Sequence, residues 1–376
     1  MKSISEKIEG SDLFQGREQS GSRSIPINKG HFDLDTPERT RAFSEKLARG
    51  WEEDYYEYRR LWADLPRARI VRDYPLLVDL ELSSRCNLNC PMCYTTTEEF
   101  IRKVKRGYME IGLFKKIIDE IAGKVYAIRL SLRGEASLNP HFLEAVTYAK
   151  QKGIKEVSVL THGMKFTGDF LRKVVEAGID WITISVDGVG ERYNSIRKPL
   201  KWEDTLGRLE EICNLKYELG VEKPVIKVQG IWPAIRENPS AYYNALAPYT
   251  DLIAYNPLID YLRKDTEIVY EDDFACPQLY QRLVVGSDGR VMMCSNDEDT
   301  LNPVGNVYEL SIHEIWHGEA LSRVRDIHAK DNGFLNLQVC RSCYYPRKTV
   351  GDEVADVNGR EVIIENYINR AQGVGQ

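Results

Sequence analysis

Between residues 76 and 260 the chain switches repeatedly between two hydrophobic periods. The runs LLVDLEL (76–82), AIRLSL (127–132), EVSVLT (156–161), WITISV (181–186), VIKVQGIW (225–232) and LIAYNPLI (252–259) have strand length and strand composition. Helical stretches are predicted between them, near 112–123, 141–152, 167–177, 202–219 and 239–248. In the first of these Leu113, Ile117 and Ile121 share one face. Six strand–helix repeats predict a parallel sheet with helices outside, an α/β fold. Six repeats rather than eight predict an open, partial (β/α)6 TIM-type barrel over 76–262. In the first strand Val78, Leu80 and Leu82 alternate with Asp79, Glu81 and Ser83, whereas a doubly buried parallel strand is apolar throughout. The polar face predicts a wet lumen able to take a polar ligand.

Outside this region the pattern differs. Residues 1–75 form an N-terminal extension, polar and weakly ordered over 1–35 and then charged with spaced aromatics over 37–64. One helix is predicted there, capped by Thr36 with Pro37 at its first position and ended by Pro66. After 262, YQRLVVGSDGRVMMC (280–294) predicts a hairpin turned at SDG, followed by a short helix at 311–326. The domain so defined is 263–348, and 349–376 is a polar tail with a last helix expected at 361–371.

Charge narrows the partners. The net charge of −6 gives no reason to expect nucleic acid or an anionic membrane. No apolar run approaches the roughly 20 residues that span a bilayer, and the first residues lack a signal-peptide core, so a cytoplasmic protein is expected. The eight cysteines then carry the chemistry, because clustered cysteines in such a chain bind metal more often than they form disulfides.

Cys86, Cys90 and Cys93 form C-x3-C-x2-C directly after the first strand, with Tyr94 behind them. Three thiolates so placed can hold three irons of a [4Fe–4S] cluster and leave the fourth iron open, unlike a closed structural zinc shell. The motif in this setting resembles the radical S-adenosylmethionine (SAM) superfamily. The resemblance implies that SAM chelates the open iron, that one electron cleaves its sulfonium bond, and that the 5′-deoxyadenosyl radical takes hydrogen from an unactivated carbon. It also implies a flavodoxin or ferredoxin-type electron donor. SLRGEASLNP stands where the family has its Gly-Gly-Glu motif: Gly134 and Glu135 match, and Arg133 replaces the first glycine. SVDGVGERYNSIR (185–197) resembles the segment after the fourth strand, which implies Ser185 at the polar end of the cofactor and Arg197 on its carboxylate. Thr161 and His162 end the third strand at the expected mouth; His162 is either a ligand contact or a polar loop residue.

Cys276, Cys294, Cys340 and Cys343 form a second set, spaced C-x17-C-x45-C-x2-C. Four thiolates suit zinc or a further [4Fe–4S] cluster. DGRVMMCSND and VGNVYELSIHEIWHG resemble the hairpin and helix of the twitch domain, the shortened SPASM domain, which implies one auxiliary [4Fe–4S] cluster. The cysteine spacing is similar to that of twitch-bearing 2-deoxy-scyllo-inosamine dehydrogenases. That likeness implies two-electron oxidation of a carbinol in a sugar-like or aminocyclitol-like small molecule, with the auxiliary cluster accepting the electron. Asp260, Tyr261 and Asp297 are candidates for the proton acceptor. Epimerisation and peptide maturation use the same radical chemistry and stay as alternatives. The extension shows no winged-helix pattern, which favours a small molecule. Cys213, the one cysteine outside both sets, lies on an outer helix and reads as a packed thiol rather than a hydrogen donor.

HEIWH (313–317) matches the two-histidine zinc-protease pattern. The longer form of that motif needs glycine and histidine where Ala320 and Arg323 stand, and 335–345 contains no acid. The stretch is read instead as a packing helix through Ile312, Ile315 and Trp316, with both histidines facing out.

Overall fold

The computed structural model describes residues 25–27, 29, 32–258, 267–272, 274–370 and 373–374. Ten strands of the described chain share one sheet: β1 (Phe32–Asp33), β2 (Leu77–Leu80), β3 (Ala127–Arg129), β4 (Glu156–Thr161), β5 (Trp181–Ser185), β6 (Val225–Ile231), β7 (Leu252–Asn256), β8 (Arg282–Val285), β9 (Arg290–Met292) and β10 (Pro303–Asn306). Their order is β1-β7-β6-β5-β4-β3-β2-β8-β9-β10, with β2 to β7 all parallel. This is the partial α/β barrel, its helices packed outside through faces such as Leu113, Phe114, Ile117, Ile118 and Ile121. The hairpin that follows is continuous with it. β8 adds in parallel to the free edge of β2, then β9 and β10 fold back antiparallel.

The polar face of β2 differs from the expected wet lumen. Asp79 and Glu81 are fully buried. Asp79 forms ion pairs with Arg129 (2.7 Å) and Arg282 (3.3 Å), and Glu81 pairs with Arg133 (2.6 Å). A carboxylate in that position requires a cation beside it, so the alternation codes for internal ion pairs rather than for solvent.

The described part of the N-terminal segment packs on the barrel. β1 pairs antiparallel with β7, Phe32 opposite Tyr255. Two helices follow, α1 (Pro37–Ala48), with Arg39 N–H donating to Thr36 Oγ1 at its start, and α2 (Glu52–Ala68). The single helix expected over 37–64 is interrupted because Gly50 takes φ +88°, a conformation open to glycine at little cost. Beyond the break Tyr55, Tyr58 and Trp62 are buried, and Tyr58 stacks on Tyr126 at 5.3 Å. Pro66 was expected to stop the helix, yet α2 runs through it. Proline at 66 leaves the Trp62 carbonyl without its helical donor, and the buried Gln281 side chain donates to that carbonyl instead (2.7 Å).

Two further elements differ from expectation. The stretch 311–326 is two helices, Ile312–His317 and Glu319–His328, divided at Gly318 where the backbone is extended. The tail is a hairpin rather than a helix: β11 (Thr349–Val357) pairs with β12 (Arg360–Tyr367). Asn358 and Gly359 form its turn with φ +57° and +78°, the left-handed pair of a type I′ turn. One face exposes Val354 and Ile363 while Ala355, Val357 and Ile364 on the other are buried, a period of two. The hairpin lies over the helices after β6, where Trp232 Nε1 donates to Glu353 (3.0 Å).

Candidate active site and its two cysteine sets

The first cysteine set lies on the loop leaving β2, and its neighbours fix that loop from below. Glu135 N–H donates to the Arg85 carbonyl (2.8 Å), immediately before Cys86. Gly134 permits this approach, since a Cβ there would meet the carbonyl oxygens of Arg85 and Ser83 at 2.5 Å. The buried Glu135 carboxylate accepts from Ser137 Oγ (2.6 Å), Thr161 Oγ1 (2.7 Å) and His162 N–H (3.0 Å), which locks the end of β4 to the turn after β3. From there His162 Nε2 reaches the Asn87 side chain (2.9 Å), between Cys86 and Cys90. Burial lowers the His162 pKa although the Glu135 charge acts the other way. His162 thus connects the end of β4 to the cysteine loop.

Ser185 ends β5 opposite Gln229 of β6. Arg197 follows the helix Gly190–Ile196, and its Nε binds the fully buried Asp187 at 2.6 Å. The other Asp187 oxygen accepts from Ile231 N–H (3.0 Å), so the carboxylate aims the guanidinium from β5 and β6 together. Burial pushes the Cys90 thiol up to about 11, and the nearby Arg197 charge opposes that rise. Tyr94 opens the short helix after Cys93 and meets Phe100 edge-on at 5.4 Å. Burial and the Glu298 carboxylate push its phenol well above the ordinary range.

The second set converges from the hairpin and the C-terminal helices. Cys276 precedes the turn of helix before β8, Cys294 follows β9, and Cys340 and Cys343 bracket the end of the helix Gln338–Ser342. Cys294, Cys340 and Cys343 are buried. Cys343 Sγ accepts from Asn296 Nδ2 (3.0 Å) and from Tyr345 N–H (3.4 Å), while His328 Nε2 lies 3.5 Å from Cys340 Sγ. Burial pushes Cys276 up to about 12 and Cys343 up to about 11, with the charge of Cys343 adding to the rise at Cys276. Thiols in such surroundings become thiolates only beside a cation.

Spacing tests which metal group fits. Among the described residues no three thiols lie within 4.8 Å of one another. Four sulfurs around one zinc at ~2.3 Å sit about 3.8 Å apart, closer than either set. The wider spacing suits a polynuclear iron–sulfur cluster, whose irons each take a separate thiolate. Cys86, Cys90 and Cys93 would hold one such cluster, and Cys276, Cys294, Cys340 and Cys343 the other.

Arg133, the residue in place of the family glycine, joins the two regions. It is buried, sends two nitrogens to Glu81 (2.6 Å each), and donates from Nη1 to the Glu298 carbonyl (2.9 Å) and Thr300 Oγ1 (3.2 Å). The loop after Cys294 is thereby tied to the interior of the barrel. Among the proton-acceptor candidates, Asp260 and Tyr261 lie outside the described residues. Asp297 is fully buried and caps its own loop, accepting from Leu301 N–H (2.7 Å) and Asn302 N–H (3.0 Å). The neighbouring Glu298 has its carboxyl raised well above the usual range by burial and by Asp299, against the pull of Arg133. Sequence reasoning passed over Glu298, Asp187 and Asn296; only Asp187, inside the SVDG stretch, carried a local signal. Cys213 stays on the outer helix Trp202–Leu219, its thiol against the Tyr249 carbonyl (3.3 Å).

Residues 80–231 match the family model of the Radical SAM superfamily, and residues 276–344 match that of an iron–sulfur cluster-binding domain. The chain carries a radical SAM domain and a second, iron–sulfur cluster-binding domain. Such a pair of domains carries a [4Fe–4S] cluster with SAM and auxiliary iron–sulfur chemistry. Curated relatives are diverse. The chain is 28% identical over 153 residues to the tungsten-containing aldehyde ferredoxin oxidoreductase cofactor-modifying protein of Pyrococcus furiosus, covering 40% of this chain and 42% of that one. It is 25% identical over 242 residues to the 7,8-dihydro-6-hydroxymethylpterin dimethyltransferase of Methanocaldococcus jannaschii, covering 63% and 46%. The matched stretches thus span less than half of either relative's own length. Among solved structures, BtrN in complex with AdoMet and 2-DOIA superposes with a TM-score of 0.53 at 15% identity, over 78% of this chain and 100% of that one. Streptococcus suis SuiB bound to S-adenosylmethionine gives 0.53 at 11%, over 77% of each chain. These likenesses are of fold. Among the described residues no helix is long and apolar enough to cross a membrane.

Proposed function

We propose that this radical SAM enzyme oxidises a carbinol carbon of a small polar molecule of the sugar or aminocyclitol class. The observation that carries the reading is the Arg133 link, which ties the loop of the second cysteine set to the barrel interior beside Tyr94 (Nη1 to the Glu298 carbonyl, 2.9 Å). Converting a carbinol to a ketone removes one hydrogen atom, one proton and one electron. When bound, SAM and the two clusters supply the hydrogen acceptor and the electron acceptor. The chain supplies the rest. Glu135, His162 and Asn87 hold the first cysteine loop in register. Arg197, aimed by Asp187, offers its charge beside Cys90, where the cofactor's carboxylate would meet it. Glu298, on the loop that Arg133 ties to the barrel, is the carboxylate we assign to the departing proton. The folded segment before the barrel, a two-residue strand and two helices packed on the sheet, supports a small substrate over a peptide. The fold of BtrN, solved with 2-DOIA, agrees with this class.

The test is a panel of sugars and aminocyclitols deuterated at the carbinol carbons, incubated anaerobically with the reconstituted enzyme, dithionite and SAM. The expected result is one ketone and one deuterated 5′-deoxyadenosine per turnover. Retention of the carbinol with inverted configuration would replace oxidation by epimerisation.

A further inference from the structure

The HEIWH helix leaves a cluster that the radical chemistry does not use. His313 and His317 stand one turn apart on Ile312–His317, their ring centroids 4.6 Å apart. Both Nε2 atoms converge on one residue from the other end of the chain: His313 on Asp73 Oδ1 (3.0 Å) and His317 on the Asp73 carbonyl (2.9 Å). Among the described residues this is the one trio of His, Cys, Asp or Glu whose ligand atoms lie within 4.8 Å of one another. Both carriers are held in place. The Glu120 carboxylate accepts from Ile312 N–H and His313 N–H (2.9 Å each). The fully buried Trp316 donates its indole N–H to the Arg72 carbonyl (2.8 Å), which seats Asp73 against the helix.

We propose that Asp73, His313 and His317 form a binding site for a divalent ion of the zinc, cobalt or nickel type. Two imidazoles and one carboxylate are the donor set such ions take, with water completing the shell. The ion replaces the two hydrogen bonds now made to Asp73. The site is not hydrolytic: Glu314, the general base of the protease pattern, is committed to the capping box, accepting from Ser311 N–H and Ser311 Oγ (2.8 Å each). Its role is a clasp between the segment that leads into β2 and the helix that follows β10, on the outside of the junction between barrel and auxiliary domain. The third ligand comes from a position 240 residues away, which is why no local pattern reveals it.

The test uses the full chain with both clusters in place, titrated anaerobically with zinc chloride by calorimetry. Wild type is expected to bind one zinc ion more than His317→Ala, and zinc is expected to raise the thermal midpoint of wild type alone. Asp73→Asn should weaken that step at least tenfold. His141→Ala, at an exposed histidine elsewhere (side chain 48% exposed), should leave it unchanged. Iron content and circular dichroism matching wild type establish that the variants fold. Equal zinc stoichiometry and affinity in wild type and His317→Ala, or an Asp73→Asn titration identical to wild type, overturns the proposal.

Discussion

Arg133 and Glu81 form a two-bond ion pair, Nε to Oε1 and Nη2 to Oε2 at 2.6 Å each, with both side chains essentially sealed from solvent. The remaining nitrogen reaches the loop of the second cysteine set. Removing one partner leaves a buried charge uncompensated, which costs about 3–5 kcal/mol. Arg133→Met is therefore expected to lower unfolding stability by that order, read from denaturant midpoints. Hydrogen exchange should also speed up at the backbone amides of 297–302, because the loop loses its anchor. Arg133→Met combined with Glu81→Gln should recover part of the stability but not the protection of the loop.

Gly134→Ala forces a Cβ against two carbonyl oxygens at 2.5 Å, both backbone and unable to turn aside. The cysteine loop must move. We expect the variant to fill the second cluster normally and to lose signal from the first, with 5′-deoxyadenosine formation falling at least tenfold. Electron paramagnetic resonance of the reduced protein separates the two clusters.

Gln281 and Pro66 form a compensated pair through the Trp62 carbonyl. Gln281→Met removes the side-chain donor to that carbonyl and should cost about 0.5–1.5 kcal/mol. Pro66→Ala restores a backbone N–H able to reach the same carbonyl, so the double variant should be more stable than Gln281→Met alone. A double-mutant cycle in urea measures the difference.

Asp251 ties α1, the helix Trp202–Leu219 and β6 through Lys46 (2.6 Å), Lys216 (3.4 Å) and Ile226 N–H (2.8 Å). Burial acts to raise its pKa, but the two lysines and the amide outweigh it and hold the carboxyl below 3.8. A carboxyl lowered in the folded state stabilises it above the unfolded value, and that contribution fades as pH falls through the folded value. Asp251→Asn should thus be less stable than wild type at pH 7. The gap, read by urea unfolding of cluster-free protein, should narrow steadily below about pH 4.

The barrel was legible because each repeat alternates between two hydrophobic periods, and five of the six strand starts fall where the apolar runs begin. The cysteines were legible because metal-binding spacing is local. What escaped was decided at a distance. Asp79 and Glu81 looked like a solvated face, since the arginines that bury them come from β3, the loop after it and β8. Pro66 looked like a helix stop, since its rescue comes from Gln281. The tail hairpin is a different failure: Asn358-Gly359 flanked by alternating residues is a local signal that was passed over for a helix.

Cluster-resolved SAM cleavage tests the central claim most directly. Wild type, Cys86→Ala/Cys90→Ala/Cys93→Ala and Cys340→Ala/Cys343→Ala are reconstituted anaerobically, their iron is assigned by Mössbauer spectroscopy, and 5′-deoxyadenosine is measured with dithionite and SAM. Wild type should hold two four-iron clusters; the triple variant should hold one and cleave no SAM; the double variant should keep the other cluster and still cleave it. Undiminished 5′-deoxyadenosine from the triple variant, or zinc without iron in the second set, would contradict the account.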